Sequence, residues 1–218
     1  MLRHYYLRFS SLITAYSIWI VGLLHVIGVI GMLSPFQEYF RLLTPFNLLM
    51  SAFILWMNHR ERNLQLLWYA ISIFVLGFLV EYVGVRTGLI FGSYAYGATL
   101  GPKLFNVPII IGLNWLLVMY CIATLTDSLR IPMLLKITAG TILAVSVDWL
   151  IEPVAMHFDF WTWKDGIVPF QNYVGWFFTS MVMQSAYHLL KVKAENKLAL
   201  PFYFAQLFFF LILNIAIR

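Results

Sequence analysis

The sequence predicts an all-α, polytopic integral membrane protein with about seven transmembrane helices and two long connections, rich in glycine and aromatic residues, on the same membrane face. Three observations carry this. The chain of 218 residues is 62% hydrophobic and only 11% charged, against about 25% charged in an ordinary soluble domain. Its mean hydropathy is +0.84. Apolar runs near the ~20 residues of a membrane span recur along it, parted by polar or glycine-rich breaks. No length is left over for a soluble domain, so residues 1–218 are read as one transmembrane helical domain.

The first span covers about 12–33, behind Arg3 and Arg8, and ends at Ser34-Pro35. It lacks a small-residue cleavage site and is read as a retained helix. The second, 43–57, is short and closes at the polar run Asn58-His59-Arg60-Glu61-Arg62. The third, 66–82, ends on Glu81 before five glycines between Gly84 and Gly101. That density argues for a loop, because each glycine weakens a helix by about 1 kcal/mol relative to alanine. The fourth starts after Val107-Pro108, where a helix start tolerates proline, and runs to about 125. The fifth, 133–151, carries Asp148 and Glu152 and stops at Pro153. A long aromatic connection leads to the sixth, 173–190, and the seventh covers 200–217.

Lysines and arginines counted on alternate sides divide 9 against 5, which sums to the 14 of the chain. The richer set includes the N-terminus, which is therefore expected in the cytoplasm of a multi-pass cell-membrane protein. The connections after the third and fifth spans have the same parity and so share a face. They also resemble one another: acid at a helix end, aromatic stretch, Val-Pro, then Asn and Trp. A degenerate internal duplication would explain this. The residues involved are Glu81, Tyr94, Tyr96, Asn114 and Trp115 in one half, and Asp148, Glu152, Trp161, Trp163, Asn172 and Trp176 in the other.

An ionised carboxylate at membrane depth costs several kcal/mol unless it meets a partner or a wet cavity. Asp148 and Glu152 lie four residues apart, on one helix face about 6 Å from each other. Two such groups resist ionising together, and one carboxylate beside one carboxylic acid is an acid–base arrangement. The plainer reading leaves Glu152 at the interface beside Pro153 and Asp148 bonded to a neighbouring helix. Arg86 is close enough in sequence to fold back on Glu81, as a structural ion pair or as the partner of a functional carboxylate. Five of the eight tryptophans fall between Trp115 and Trp176. Singly they suit an interfacial belt; together with the acids they suit a pocket for a long apolar substrate, with ring faces that stabilise positive charge. Asn172, Trp176, Thr179 and Met183 form a helical stripe, while His25, Asn47, Ser51, Gln206 and Asn214 are read as helix-packing polar groups.

Other chemistries find little support. The basic residues form no stripe for nucleic acid, and Cys121 is the single cysteine. The five histidines include no pair at the spacing of a helical di-iron or zinc site. There is no phosphate-cradling glycine loop.

The segments Glu81-Tyr82-Val83-Gly84-Val85-Arg86-Thr87-Gly88, Phe91-Gly92-Ser93-Tyr94-Ala95-Tyr96 and Leu100-Gly101-Pro102, followed by Val107-Pro108 and Asn114-Trp115, resemble the membrane carotenoid 1,2-hydratase family, the CruF-like group. Asp148 through Glu152-Pro153, Trp161-Thr162-Trp163, Pro169, Asn172-Tyr173 and Gly175-Trp176 support the resemblance, which covers about 66–190. It implies a hydro-lyase of carotenoid biosynthesis, without cofactor or metal, that adds water across a terminal 1,2 double bond of an acyclic carotenoid. Read onto these residues, Asp148 or Glu152 protonates carbon 2, and the aromatic faces with Glu81 stabilise the tertiary cation. Water activated by the remaining carboxylate then captures it. Arg86, Tyr94, Tyr96, Asn114, Trp115, Trp161, Trp163, Asn172 and Trp176 would bind substrate. The implied partners are the carotenoid, water, the bilayer and other pathway enzymes. A carotenoid cyclase would begin with the same protonation, and a proton-coupled transporter or lipid-binding protein would use the acids as a relay.

Overall fold

The computed structural model of the protein describes residues 2–193 and 195–218; the side chains of residues 2–11 and 13, including Arg3 and Arg8, lie outside the description. Among the described residues eight helices appear in chain order: α1 (Leu2–Met32), α2 (Gln37–Leu42), α3 (Thr44–Asn58), α4 (Leu64–Thr87), α5 (Ile110–Asp127), α6 (Met133–His157), α7 (Phe170–Leu189) and α8 (Ala199–Ala216). Four short strands lie between them: β1 (Tyr94–Tyr96), β2 (Lys103–Leu104) and β3 (Val107–Pro108) before α5, and β4 (Trp161–Trp163) before α7. Five helices, α1, α4, α5, α6 and α8, are long and apolar enough to cross a membrane. The expected seven is thus met only in part. The 15 residues of α3 reach about 22 Å at 1.5 Å per residue, short of a ~30 Å hydrocarbon core. The interior of α7 is diluted by Asn172, Thr179, Ser180 and Gln184.

Helix ends also fall later than the sequence suggests. Asn63 caps α4 by accepting the Leu66 amide at 2.9 Å. The helix then runs through Gly84 to Gly88, whose left-handed φ of 67° makes it the terminator. Glu81 therefore sits inside α4. Helix α6 continues through Pro153 to His157, which buries Glu152 a full turn before the helix ends. Proline removes one donor there, and surrounding helices hold the turn together.

Helix α5 is the axis of the bundle, packing against α3, α4, α6, α7 and α8. Eleven of its residues, from Ile111 to Thr126, are buried. Close approach to α4 depends on Gly77, because a Cβ there would lie 2.6 Å from the Cβ of Trp115. Polar ties pin neighbouring helices. Asn58 donates to Ser17 at 2.8 Å, Gln184 to the Met119 carbonyl at 3.2 Å, and Asn214 to the Leu150 carbonyl at 3.2 Å. At one end of the bundle, Tyr120 meets His59 at 2.7 Å and Asn196 at 2.9 Å. At the other end, β1 and β4 pair antiparallel with Tyr94 opposite Trp163 and Tyr96 opposite Trp161. The connections after α4 and α6 meet in this ribbon. Beside it, β2 and β3 form a hairpin whose two-residue turn, Phe105 and Asn106, has φ of 52° and 69°. Positive φ at both turn residues matches the twist of paired strands.

Gly77→Ala should destabilise the protein by about 1–3 kcal/mol, as overpacking does, and lower its melting temperature in detergent. Gly22→Ala, with no neighbour within 4 Å, should be neutral or stabilising by up to ~1 kcal/mol through helix propensity. Equal effects at the two glycines would contradict the close α4–α5 approach.

Candidate active site

The site forms where the β1–β4 ribbon covers α4, α5, α6 and α7. Successive strand residues face opposite ways, so Tyr94 and Tyr96 point inward together while Ala95 is exposed, and Trp161 and Trp163 point inward while Thr162 is exposed. Each inward pair serves one carboxylate. Glu81, 5% exposed, accepts on Oε2 from the Tyr94 hydroxyl at 2.5 Å and the Tyr96 hydroxyl at 2.7 Å. Its Oε1 accepts from Trp115 Nε1 at 2.8 Å. Glu152, 2% exposed, accepts on Oε2 from Trp161 Nε1 at 3.0 Å and Trp163 Nε1 at 2.7 Å. Its Oε1 accepts from Asn172 Nδ2 at 3.1 Å. The same Asn172 nitrogen donates to Asp148 Oδ2 at 2.7 Å.

Glu81 and Glu152 thus have three donors each, and Asp148 has one. Asp148 is fully buried, and its Oδ1 receives no donor hydrogen bond among the described residues. Its carboxyl interacts with that of Glu152. Burial, then the adjoining Glu81 charge, pushes the Tyr94 and Tyr96 phenols well above the ordinary tyrosine range. Both therefore stay protonated and remain donors to Glu81.

Aromatic rings fill the rest. Trp176 stacks on Trp115 with centroids 3.9 Å apart, and the Phe91 ring lies near-parallel to Trp115 at 6.4 Å. Tyr94 meets Trp163 at 5.0 Å, and Tyr96 meets Trp161 edge-on at 6.0 Å. Between the acids is a cavity of about 20 Å³, walled by Glu81, Asn114, Trp115, Glu152, Asn172 and Trp176 among others. A second, largely apolar cavity of about 250 Å³ lies beside it, between α1, α2, α3, α5, α6 and α8. Ile111, Asn114, Ile151 and Trp161 border both.

Of the residues singled out in the sequence, Glu81, Tyr94, Tyr96, Asn114, Trp115, Glu152, Trp161, Trp163, Asn172 and Trp176 line the small cavity. Asp148 adjoins it through Asn172 and Glu152. Arg86 is the exception. It is exposed, donates to the Tyr82 hydroxyl at 2.8 Å and lies over the Tyr82 ring. Glu81 does not need it, because neutral donors already occupy both carboxylate oxygens. Five positions apart on a helix also falls outside the three- and four-residue spacings that bring side chains together. The apolar cavity was missed. Its wall includes His25, Asn47 and Gln206, three polar side chains on otherwise apolar helices that sequence reasoning assigned to packing. No group of three or more His, Cys, Asp or Glu among the described residues is placed to hold a metal ion.

The chain is 32% identical over 134 residues to bisanhydrobacterioruberin hydratase of Haloarcula japonica, an alignment that takes in 56% of this chain and 44% of the relative. The chain thus matches less than half the length of that relative. No solved structure matches. The family described as carotenoid biosynthesis protein matches residues 39–218, from α2 to the last residue, and takes in both halves of the site. The chain belongs to the carotenoid biosynthesis protein family.

Proposed function

We propose that the protein is a carotenoid 1,2-hydratase that adds water to the terminal double bond of an acyclic carotenoid. One observation carries this reading: two carboxyl groups with three donors each, Glu81 and Glu152, line a cavity of about 20 Å³ that adjoins an apolar one of about 250 Å³, and the donor-poor Asp148 lies behind it, joined through Asn172. The smaller exceeds the ~10–15 Å³ one water molecule needs. The larger exceeds the ~150 Å³ that admits benzene, so it suits the last isoprenoid units of a long chain while the remainder lies outside. A relative that bears the name of a carotenoid hydratase supports the same substrate class.

The donor count supports a division of roles. Asp148, with one donor, holds the proton and delivers it to carbon 2. The π pair forms the new C–H bond and leaves a tertiary cation at carbon 1. Glu81, which accepts from Tyr94, Tyr96 and Trp115, faces that charge as a carboxylate, and the stacked faces of Trp115 and Trp176 add cation–π stabilisation. Water attacks carbon 1 and gives a proton to Glu152, which returns it to Asp148 through their carboxyl contact. The chain's own groups complete the cycle. In the bilayer, α3 and α7 are read as completing seven spans. The N-terminus is on the cytoplasmic side, and other carotenoid-pathway enzymes are the neighbours that hand over substrate.

Mass spectrometry of pigments from cells making lycopene together with this protein should show a gain of one water per reacted end. An isomer of unchanged mass would indicate a cyclase, and unchanged pigment would indicate transport or binding. Asp148→Asn should lower hydration by about 10²–10⁴-fold, the usual contribution of a positioned acid; full activity would remove Asp148 from the mechanism.

The two phenols give a pH signature. Their folded pKa values are raised, so their contribution to stability is complete below the unfolded tyrosine value of about 10 and declines as pH rises beyond it. Melting temperatures of the wild type and Tyr94→Phe/Tyr96→Phe should therefore differ by a constant amount from pH ~7 to ~10 and converge above that range. A gap that widens in alkali would contradict the phenol–Glu81 contacts.

A further inference from the structure

Asn114 is the one polar side chain among the four residues that border both cavities; the others are Ile111, Ile151 and Trp161. It lies on α5 one residue before Trp115, whose indole donates to Glu81. No hydrogen bond joins the Asn114 amide to any other described residue, whereas the Asn172 Nδ2 across the pocket donates to two carboxyls. An amide carries two donors and an acceptor with two lone pairs, and leaving these idle beside apolar walls is costly. A water in the small cavity relieves that cost and has Glu152 as a further partner. The other polar groups on the apolar cavity, His25, Thr44, Asn47 and Gln206, do not line the small one.

We propose that Asn114 is the positioning residue for the nucleophilic water and decides whether the cation is hydrated or merely deprotonated. This rests on the hydratase reading above. At the boundary between the two cavities, the amide holds the water oxygen toward carbon 1 while Glu152 faces its hydrogen. When the oxygen lone pair forms the C–O bond, the water proton passes to the Glu152 carboxylate, and the product is the tertiary alcohol. Without a held water, the same carboxylate removes a proton from a carbon next to carbon 1. That C–H pair forms a double bond, and the product is the starting alkene or an isomer of equal mass.

The two fates are separable with Asn114→Leu, which keeps the volume and removes the amide, assayed on an acyclic carotenoid in heavy water. Hydrated product should fall at least ~10-fold, in the range of a lost positioning group. Deuterium incorporated into unhydrated carotenoid should persist or rise, because protonation by Asp148 is intact. Asn114→Gln or Asn114→Ser should restore part of the hydration, and the melting temperature of Asn114→Leu should stay near that of the wild type, since no protein partner is lost. Hydration and deuterium uptake falling in proportion would overturn the role of Asn114 while leaving the hydratase reading in place, as would an unchanged product ratio. A wild-type protein that adds no water would overturn both.

Discussion

Three buried carboxyl groups within a bundle of apolar helices are the constraint on which the rest of this structure depends. Removing an ion from water costs several kcal/mol even after relaxation, and that cost is offset only where hydrogen bonds to the charged form are complete. Here the two helices that carry the acids cannot supply the donors themselves. Tyrosine hydroxyls and indole N–H groups arrive from β1, β4 and α5 instead. These donors are neutral, so they satisfy the carboxyl oxygens without adding a counter-charge. A guanidinium in the same position would add one. The exposure of Arg86 and its contact with Tyr82 follow the same logic.

The short β1–β4 ribbon explains why two loops that are far apart in sequence behave as one part. Strand alternation fixes which side chains face inward, and antiparallel register sets Tyr94 against Trp163 and Tyr96 against Trp161. A slip by one residue would turn all four donors outward and present Ala95 and Thr162 to the acids. Both carboxylates would then lose two of three partners at once. The tight packing of α4 on α5 adds a second determinant, because the indole of Trp115 reaches Glu81 only where Gly77 lets the helix backbones come close.

Much of the site was legible in the sequence, for a physical reason. Acids on apolar helices are conspicuous because the membrane makes them expensive, and the paired Val-Pro and Asn/Trp patterns identified both connections. What was not legible depends on long-range geometry. Nothing local says that Tyr94 and Tyr96 serve Glu81 while Trp161 and Trp163 serve Glu152, since that division comes from strand register. Sequence proximity favoured Arg86, yet helical periodicity turns it away. Helix ends were placed too early at Tyr82 and Ile151 because glycine and Pro153 read as breakers, whereas tertiary packing carries α4 to Thr87 and α6 to His157. The apolar cavity left almost no trace, because its walls are mostly ordinary lipid-compatible residues drawn from six helices.

The direction of the chain gives these hydrogen bonds an order in time. Every donor follows its acid: Tyr94, Tyr96 and Trp115 come 13, 15 and 34 residues after Glu81. Trp161, Trp163 and Asn172 come 9, 11 and 20 residues after Glu152. During synthesis, α4 and α6 are therefore complete before the groups that make their acids tolerable have emerged. Each acid is thus synthesised before its donors, and its set of hydrogen bonds is complete only once the next segment of chain is laid over it.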